Sequence, residues 1–136
     1  MIYHEDSINE FFGESDFIIN TLPHDISTIG LINSNVLKAA KPNMTFINIG
    51  RDSIFQGDDF YGYLKTHKDA SAILDMYEKF PNPITNKYRR LKNVLVFPRV
   101  ASISNESDLA LKRLLMDNIQ AIINNKPLKN RLDVIV

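Results

Sequence analysis

Four short apolar runs constrain the fold of this 136-residue chain more than any other feature. Segments with helical character separate the first three, and Pro81 and Pro83 mark a long loop before the fourth. The runs predict buried strands at residues 16–22, 44–49, 70–76 and 94–97. Capping residues and apolar spacing predict helices at 7–12 (introduced by Asp6), 33–40 (capped by Asn33 or Ser34), 57–66 and from Asn105 onward. Because parallel strands need helical crossovers, this alternation predicts an α/β fold with a parallel sheet of about four strands.

Composition narrows the class of protein. The length predicts a single domain over residues 1–136, and a formal net charge of zero gives no general attraction to nucleic acid or membrane. Cysteine is absent, and the N-terminus lacks the basic and apolar regions of a signal peptide. We therefore expect a cytoplasmic protein that binds neither nucleic acid nor membrane. The three histidines are scattered, so the sequence predicts no metal site.

Charged residues follow two of the predicted strands directly. The run Ile47-Asn48-Ile49-Gly50 ends in Arg51, and the run ending at Leu74 is followed by Asp75. In open α/β sheets, ligands bind at the carboxyl ends of the strands. A guanidinium at that edge can bind a carboxylate through two parallel hydrogen bonds. The pattern therefore predicts a site containing Arg51 and Asp75.

Several short blocks resemble the nicotinamide-binding domain of the D-isomer-specific 2-hydroxyacid dehydrogenases, which include glyoxylate/hydroxypyruvate reductases and phosphoglycerate dehydrogenase. They occur in the family's order and are Leu22-Pro23, residues 28–33 with Lys41-Pro42, residues 47–51, residues 72–77 and, more weakly, residues 93–98. The resemblance implies the C-terminal part of a Rossmann-like domain. By this resemblance, the family's opening βαβ unit and its substrate domain have no counterpart in the sequence.

The resemblance also implies roles for individual residues. Arg51 would hold the substrate carboxylate and polarise its carbonyl, and Asp75 would contact the nicotinamide carboxamide or ribose of NAD or NADP. The remaining positions implied for the cofactor cleft are Leu22, Pro23, Thr28, Ile49, Gly50, Val100 and Ala101. The implied substrate is a small 2-keto or 2-hydroxy acid.

Two further catalytic positions depart from the family pattern. Phe80 stands where the family has Glu, and Arg99 stands where it has the His that supplies the proton. Phe cannot titrate and Arg stays protonated, so neither can cycle a proton. None of the five glycines lies two residues from another, so the G-x-G-x-x-G turn that binds pyrophosphate is also missing. We therefore expect this chain alone to be inactive.

Two functions stay open at this point. One is an NAD(P)-dependent 2-hydroxyacid dehydrogenase that needs further parts to bind its cofactor. The other is a non-catalytic dimerisation or anion/nucleotide-binding module in which Arg51 and Arg99 attract an anion. His24, next to Leu22-Pro23, is a weaker candidate for a substitute acid. The resemblance implies a homodimer, and a sheet edge left open by missing strands would favour self-association.

Overall fold

The computed structural model describes residues 5–75 and 87–130 and divides the chain into two compact units, residues 1–101 and 102–136. The single domain expected from the length stays a prediction. Phe80 and the other residues from 76 to 86 lie outside the described residues.

The first unit is built around a parallel sheet of four strands in the order β1-β2-β3-β4. The strands are β1 (Phe17–Asn20), β2 (Thr45–Asn48), β3 (Ser71–Leu74) and β4 (Val94–Val96). In this register Asn20 lies beside Asn48, and Asn48 beside Leu74. The prediction of an α/β fold with about four parallel strands is confirmed, and each strand is shorter than its apolar run.

Helices α1 (Ile8–Glu14), α2 (Ser34–Ala39) and α3 (Asp59–Thr66) accompany the sheet, with 3-10 turns at Glu5–Ser7, Asp52–Ile54 and Lys87–Arg90. Asn33 caps α2 by accepting hydrogen bonds from the amides of Asn35 and Val36, as one of the two predicted caps. The predicted cap of α1 is wrong. Asp6 lies inside the first 3-10 turn, and the residue preceding α1 is Ser7, whose side chain makes no capping bond.

The core of this unit lies on one face of the sheet and is rich in aromatic rings. Phe46 of β2 and Phe60 of α3 are fully buried with ring centroids 5.1 Å apart, and Phe55 stacks on Phe60 at 4.2 Å. On β1, Ile18 and Asn20 point into this core, whereas Phe17 and Ile19 are 71% and 61% exposed. The alternation follows from the two-residue period of a strand and leaves β1 with one apolar exposed face.

The second unit contains helix α4 (Asn105–Ile123), which begins where the sequence predicts. Ser104 and Ser107 form a reciprocal capping box. Backbone and Ser104 hydrogen bonds lower the pKa of Glu106 in the first turn. After the helix, the Asn118 side chain accepts a hydrogen bond from the Lys129 amide at 2.8 Å, which ties the following segment back to α4.

In the part of the chain that the structure describes, none of the helices has the length and apolarity needed to cross a membrane.

Candidate functional site

The candidate site lies at the carboxyl ends of the strands, where the ladder hydrogen bonds continue one residue beyond each strand. The amide of Ile49 donates to the Asn20 carbonyl at 3.1 Å, and the amide of Asp75 donates to the Asn48 carbonyl at 2.9 Å. Phe97 makes the equivalent bond to Leu74 at 2.8 Å. The residues following the strands are thus held side by side along one edge, as the sequence predicts.

Gly50 is required by the close approach of the segments that follow β1 and β2. A Cβ atom at position 50 would lie 2.7 Å from Asn20 Nδ2 and 2.7 Å from the carbonyl oxygen of Leu22. Side-chain carbons essentially never come that close to such atoms, and the Leu22 contact is with backbone that cannot swing aside. Glycine therefore lets the two segments pack directly against each other, with Arg51 as the next residue.

Arg51 is exposed at this edge, on extended backbone with φ −130° and ψ 149°. Its Nη1 donates to the carbonyl of Gly50 at 3.0 Å. A guanidinium carries five N–H donors, and this bond uses one of them. The bond holds the guanidinium near the Gly50 backbone and leaves four N–H donors, which is compatible with the predicted binding of a carboxylate.

Asp75 is buried and holds the segment after β4. Its Oδ1 accepts a hydrogen bond from the amide of Val100 at 2.7 Å, and its Oδ2 accepts one from the amide of Ala101 at 2.8 Å. The structure therefore brings three predicted site residues together, and the bonds between them join the ends of β3 and β4. A carboxylate that accepts two backbone N–H groups is a strong local anchor.

The segment held by Asp75 contains Arg99, which is exposed and has a φ of 62°. This left-handed conformation costs an L-residue other than glycine roughly 1 kcal/mol. Arg51 and Arg99 follow β2 and β4, which β3 separates, so their strands lie about 10 Å apart. An anion site formed by both arginines requires their side chains to converge across β3, and that site stays a prediction.

The remaining predicted cofactor positions lie after β1 and β2. Leu22, Pro23 and Ile49 are exposed, so apolar surface is available along this part of the edge. Thr28 is partly buried, and its hydroxyl donates to the carbonyl of Pro23 at 2.7 Å. Thr28 thus stabilises the loop that carries Leu22 and Pro23.

His24 lies in the same loop and contacts a residue that follows β2. Its Nδ1 lies 2.7 Å from the hydroxyl of Ser53. Both residues line a cavity of about 450 Å³ whose other walls include Leu74 and Tyr88. The neighbouring Asp25 has a pKa below its ordinary value because Ser27 donates backbone and side-chain hydrogen bonds to it. His24 as a substitute acid stays a prediction.

Among the residues that the structure describes, His, Asp and Glu do not gather in any group of three or more that could hold a metal ion.

The sequence interpretation missed one part of the edge, a pair of buried asparagines. Asn20 ends β1, Asn48 ends β2, and the Asn20 Nδ2 donates to the Asn48 Oδ1 at 2.8 Å. A signal was present, because each asparagine ends an apolar run and a buried polar side chain needs partners. What the sequence lacked was the register that places the two residues opposite each other.

Comparison with known proteins places this geometry in a family. A sequence model described as "D-isomer specific 2-hydroxyacid dehydrogenase, NAD binding domain" matches residues 1–101. Human glyoxylate reductase/hydroxypyruvate reductase is 29% identical over 126 residues, which cover 93% of this chain and 38% of the human protein. The chain therefore spans well under half the length of this curated relative.

Solved structures agree with the sequence match. The D-isomer specific 2-hydroxyacid dehydrogenase from Xanthobacter autotrophicus Py2, in complex with NADPH and MES, has a TM-score of 0.82 and 28% identity over 94% of this chain and 52% of the other. The NADPH-dependent glyoxylate/hydroxypyruvate reductase from Sinorhizobium meliloti, in complex with NADP and sulfate, has a TM-score of 0.82 and 26% identity, covering 96% and 42%. The family model over residues 1–101 and these matches show that the chain belongs to the NAD-binding domains of the D-isomer specific 2-hydroxyacid dehydrogenase family.

Proposed function

We propose that this chain forms the carboxyl-edge part of an NAD(P)-dependent 2-hydroxyacid dehydrogenase site, which binds a small 2-keto or 2-hydroxy acid but lacks proton transfer of its own. The observation that carries the proposal is the placement of Arg51. It is exposed beside Gly50, and the backbone beneath it is fixed by the packing of the segments after β1 and β2. A guanidinium held there can grip a carboxylate through two N–H groups.

The residues present fit one half of a nicotinamide cofactor. The exposed apolar side chains of Leu22 and Ile49 offer a surface against which a planar nicotinamide ring can pack. Gly50 lets the segments that carry Leu22 and Ile49 pack closely, so that the two side chains lie on neighbouring parts of the edge. For the pyrophosphate half, the sequence contains no G-x-G-x-x-G turn. We therefore propose that these residues contact the nicotinamide end of NAD or NADP and that other parts bind the phosphates.

The proposed role in the chemistry is binding and polarisation. A bound nicotinamide cofactor would supply hydride, and Arg51 would orient the keto acid through its carboxylate and stabilise negative charge on the carbonyl oxygen. The proton for that oxygen has no donor at positions 80 and 99, which are Phe and Arg. A positioned acid contributes about 10²–10⁴-fold to such reactions. We therefore expect no reduction of glyoxylate, hydroxypyruvate or pyruvate by this chain alone.

A glyoxylate titration of the wild type and Arg51→Gln tests the proposal, with the backbone amides followed by NMR. The expected result is saturable binding that weakens about tenfold in the variant, because the paired donors to the carboxylate are lost. Arg90→Gln is the matched control, since it removes the same charge from an exposed residue of the 3-10 turn before β4. Equal affinity in Arg51→Gln and the wild type would refute a role for Arg51.

An activity assay distinguishes two causes of the expected inactivity, the residues at positions 80 and 99 and the missing cofactor-binding parts. The double variant Phe80→Glu, Arg99→His restores the family's residue types at both catalytic positions. Turnover by this variant with NADH or NADPH would show that the two side chains were limiting. Continued inactivity would assign the limit to missing cofactor-binding parts, and turnover by the wild type would contradict the proposed lack of proton transfer.

The outer edge of β1 supports a second candidate role, dimerisation. Among the described residues β1 pairs only with β2, and Phe17 and Ile19 expose apolar surface on it. An unpaired strand edge is a template for another strand. We expect sedimentation of a dimer at micromolar concentrations and of a monomer for Ile19→Lys, since an edge lysine blocks strand pairing. Ile26→Lys, at a 93% exposed position, is the control and should still dimerise; a wild-type monomer would exclude this role.

A further inference from the structure

The buried amide pair at the ends of β1 and β2 connects the two segments that carry the proposed binding surface. Asn20 is 5% exposed and Asn48 is fully buried, and they face each other in the parallel register. Burying two amides in an apolar core is unfavourable unless their polar atoms are paired. The role of the polar pair must therefore be sought in the groups to which its side chains are hydrogen-bonded.

Both side chains bond to the backbone of the loops beyond the strands. The Asn20 Oδ1 accepts from the Leu22 amide at 3.1 Å, and the Asn48 Oδ1 accepts from the Gly50 amide at 3.1 Å. The Asn48 Nδ2 donates to the carbonyl of Arg51 at 3.1 Å. Together with the direct bond between the asparagines, these contacts fix the start of both loops relative to each other.

We propose that Asn20 and Asn48 are positioning residues for ligand binding, which set the placement of Leu22, Gly50 and Arg51 without touching the ligand. The inference rests on the proposed function, because it assumes that those three residues line the site. Its physical basis is the direction of the bonds. A neutral amide at position 48 accepts from one backbone group and donates to another, and no apolar or singly charged side chain can do both.

Asn48→Asp tests this directly, because it keeps the shape and changes only the hydrogen-bonding pattern. An ionised carboxylate would still accept from Gly50 but would face the Arg51 carbonyl with a second acceptor. A protonated carboxyl can donate to that carbonyl and restores the original pattern. Because position 48 is fully buried, desolvation disfavours the ionised form and raises the pKa of the introduced carboxyl above its ordinary value of about 3.9. Binding of glyoxylate by the variant should therefore be close to wild type at pH 5, where the carboxyl is protonated, and about tenfold weaker at pH 8.

The wild type has no titratable side chain in the pair and should not show this pH profile. Glyoxylate itself stays ionised at both pH values, since α-carboxyl groups titrate near pH 3.5. Thr45→Val is the matched control, because it removes an interstrand side-chain contact, Thr45 Oγ1 to Ser71 Oγ at 3.0 Å, from the opposite end of β2. It should leave glyoxylate binding unchanged, and if it weakens binding as much as Asn48→Asp does at pH 8, the positioning role is overturned.

Hydrogen exchange of the Leu22 and Gly50 amides gives a readout that needs no ligand. In Asn48→Leu, which lacks the acceptor of the Gly50 amide, the exchange of Gly50 should accelerate relative to the wild type, and Asn20→Leu should do the same for Leu22 if the first variant does not fold. Unchanged exchange at both amides overturns the inference. If the wild type binds no glyoxylate, the proposed function fails, and the exchange data still decide whether the asparagines hold the two loops.

Discussion

The two halves of the carboxyl edge are held by different chemistry. After β1 and β2, two neutral asparagines hold the loops, Gly50 lets them pack closely, and the exposed Arg51 donates to the Gly50 carbonyl. After β3 and β4, the carboxylate of Asp75 holds the backbone amides of Val100 and Ala101, which follow Arg99 and its left-handed backbone. The first half is thus held by hydrogen bonds between neutral groups and the second by charge-assisted ones. The two halves should therefore respond separately to substitution.

The largest effect is expected for Gly50→Ala, which breaks the first half. The new methyl group would lie 2.7 Å from the Leu22 carbonyl, and overpacking of this kind costs up to about 3 kcal/mol. Gly62→Ala is the matched control, because a Cβ there meets nothing within 4 Å and alanine favours a helix. Urea unfolding should therefore show a large loss of stability for position 50 and a small gain for position 62. Equal stability of the two variants would contradict the close packing.

Asp75→Ala removes the contacts that hold the second half. The free energy of unfolding should fall by about 2 kcal/mol, because two charge-assisted hydrogen bonds to backbone amides are lost and water replaces them only in part. The amides of Val100 and Ala101 should also exchange faster. Asp16→Ala is the control, because Asp16 bonds Lys41 in an exposed pair that contributes at most about 1 kcal/mol. A loss no greater than that of the control would show that Asp75 does not hold this segment.

A smaller effect on stability is expected at the amino ends of the strands, away from the candidate site. It shows how a loss of global stability differs from a change at the carboxyl edge. Burial raises the pKa of Tyr63, whose hydroxyl donates to the Lys41 carbonyl at 2.5 Å. The neutral form is favoured in the folded state, so its contribution is complete below pH 10 and is lost as the pH rises through the folded pKa.

Tyr63→Phe should therefore cost about 1 kcal/mol at pH 7 and flatten the decline of stability above pH 10. Unfolding curves recorded from pH 7 to pH 11 provide the measurement. If wild type and variant decline in parallel above pH 10, the burial of this hydroxyl does not contribute to alkaline instability.

The fold was largely predictable because apolar runs and capping residues act locally. Asn33 caps α2, and the strands lie within their apolar runs. The start of α1 was not predictable from Asp6, since a 3-10 turn shifts the helix along the chain by a residue or two. The helix propensities of single residues cannot distinguish a 3-10 turn from the first turn of an α-helix.

The site was predictable only in part. Arg51 and Asp75 follow strands directly, so their placement at the edge needs only the strand assignment. The partners of Asp75 lie 25 and 26 residues away, and the bond between Asn20 and Asn48 spans 28 residues. Such pairings depend on strand register and loop geometry, which a single sequence does not encode in any local pattern.

The parallel register has a kinetic consequence. The side-chain contacts between neighbouring strands span 28 residues for β1 and β2 and 26 for β2 and β3, so neither pair can form as a local hairpin. The chain must close a long crossover before it gains either pairing, and sheets of this kind fold slowly. During that interval the apolar strands remain unpaired and can associate with other chains. Refolding yield should thus fall with protein concentration more steeply than native stability suggests.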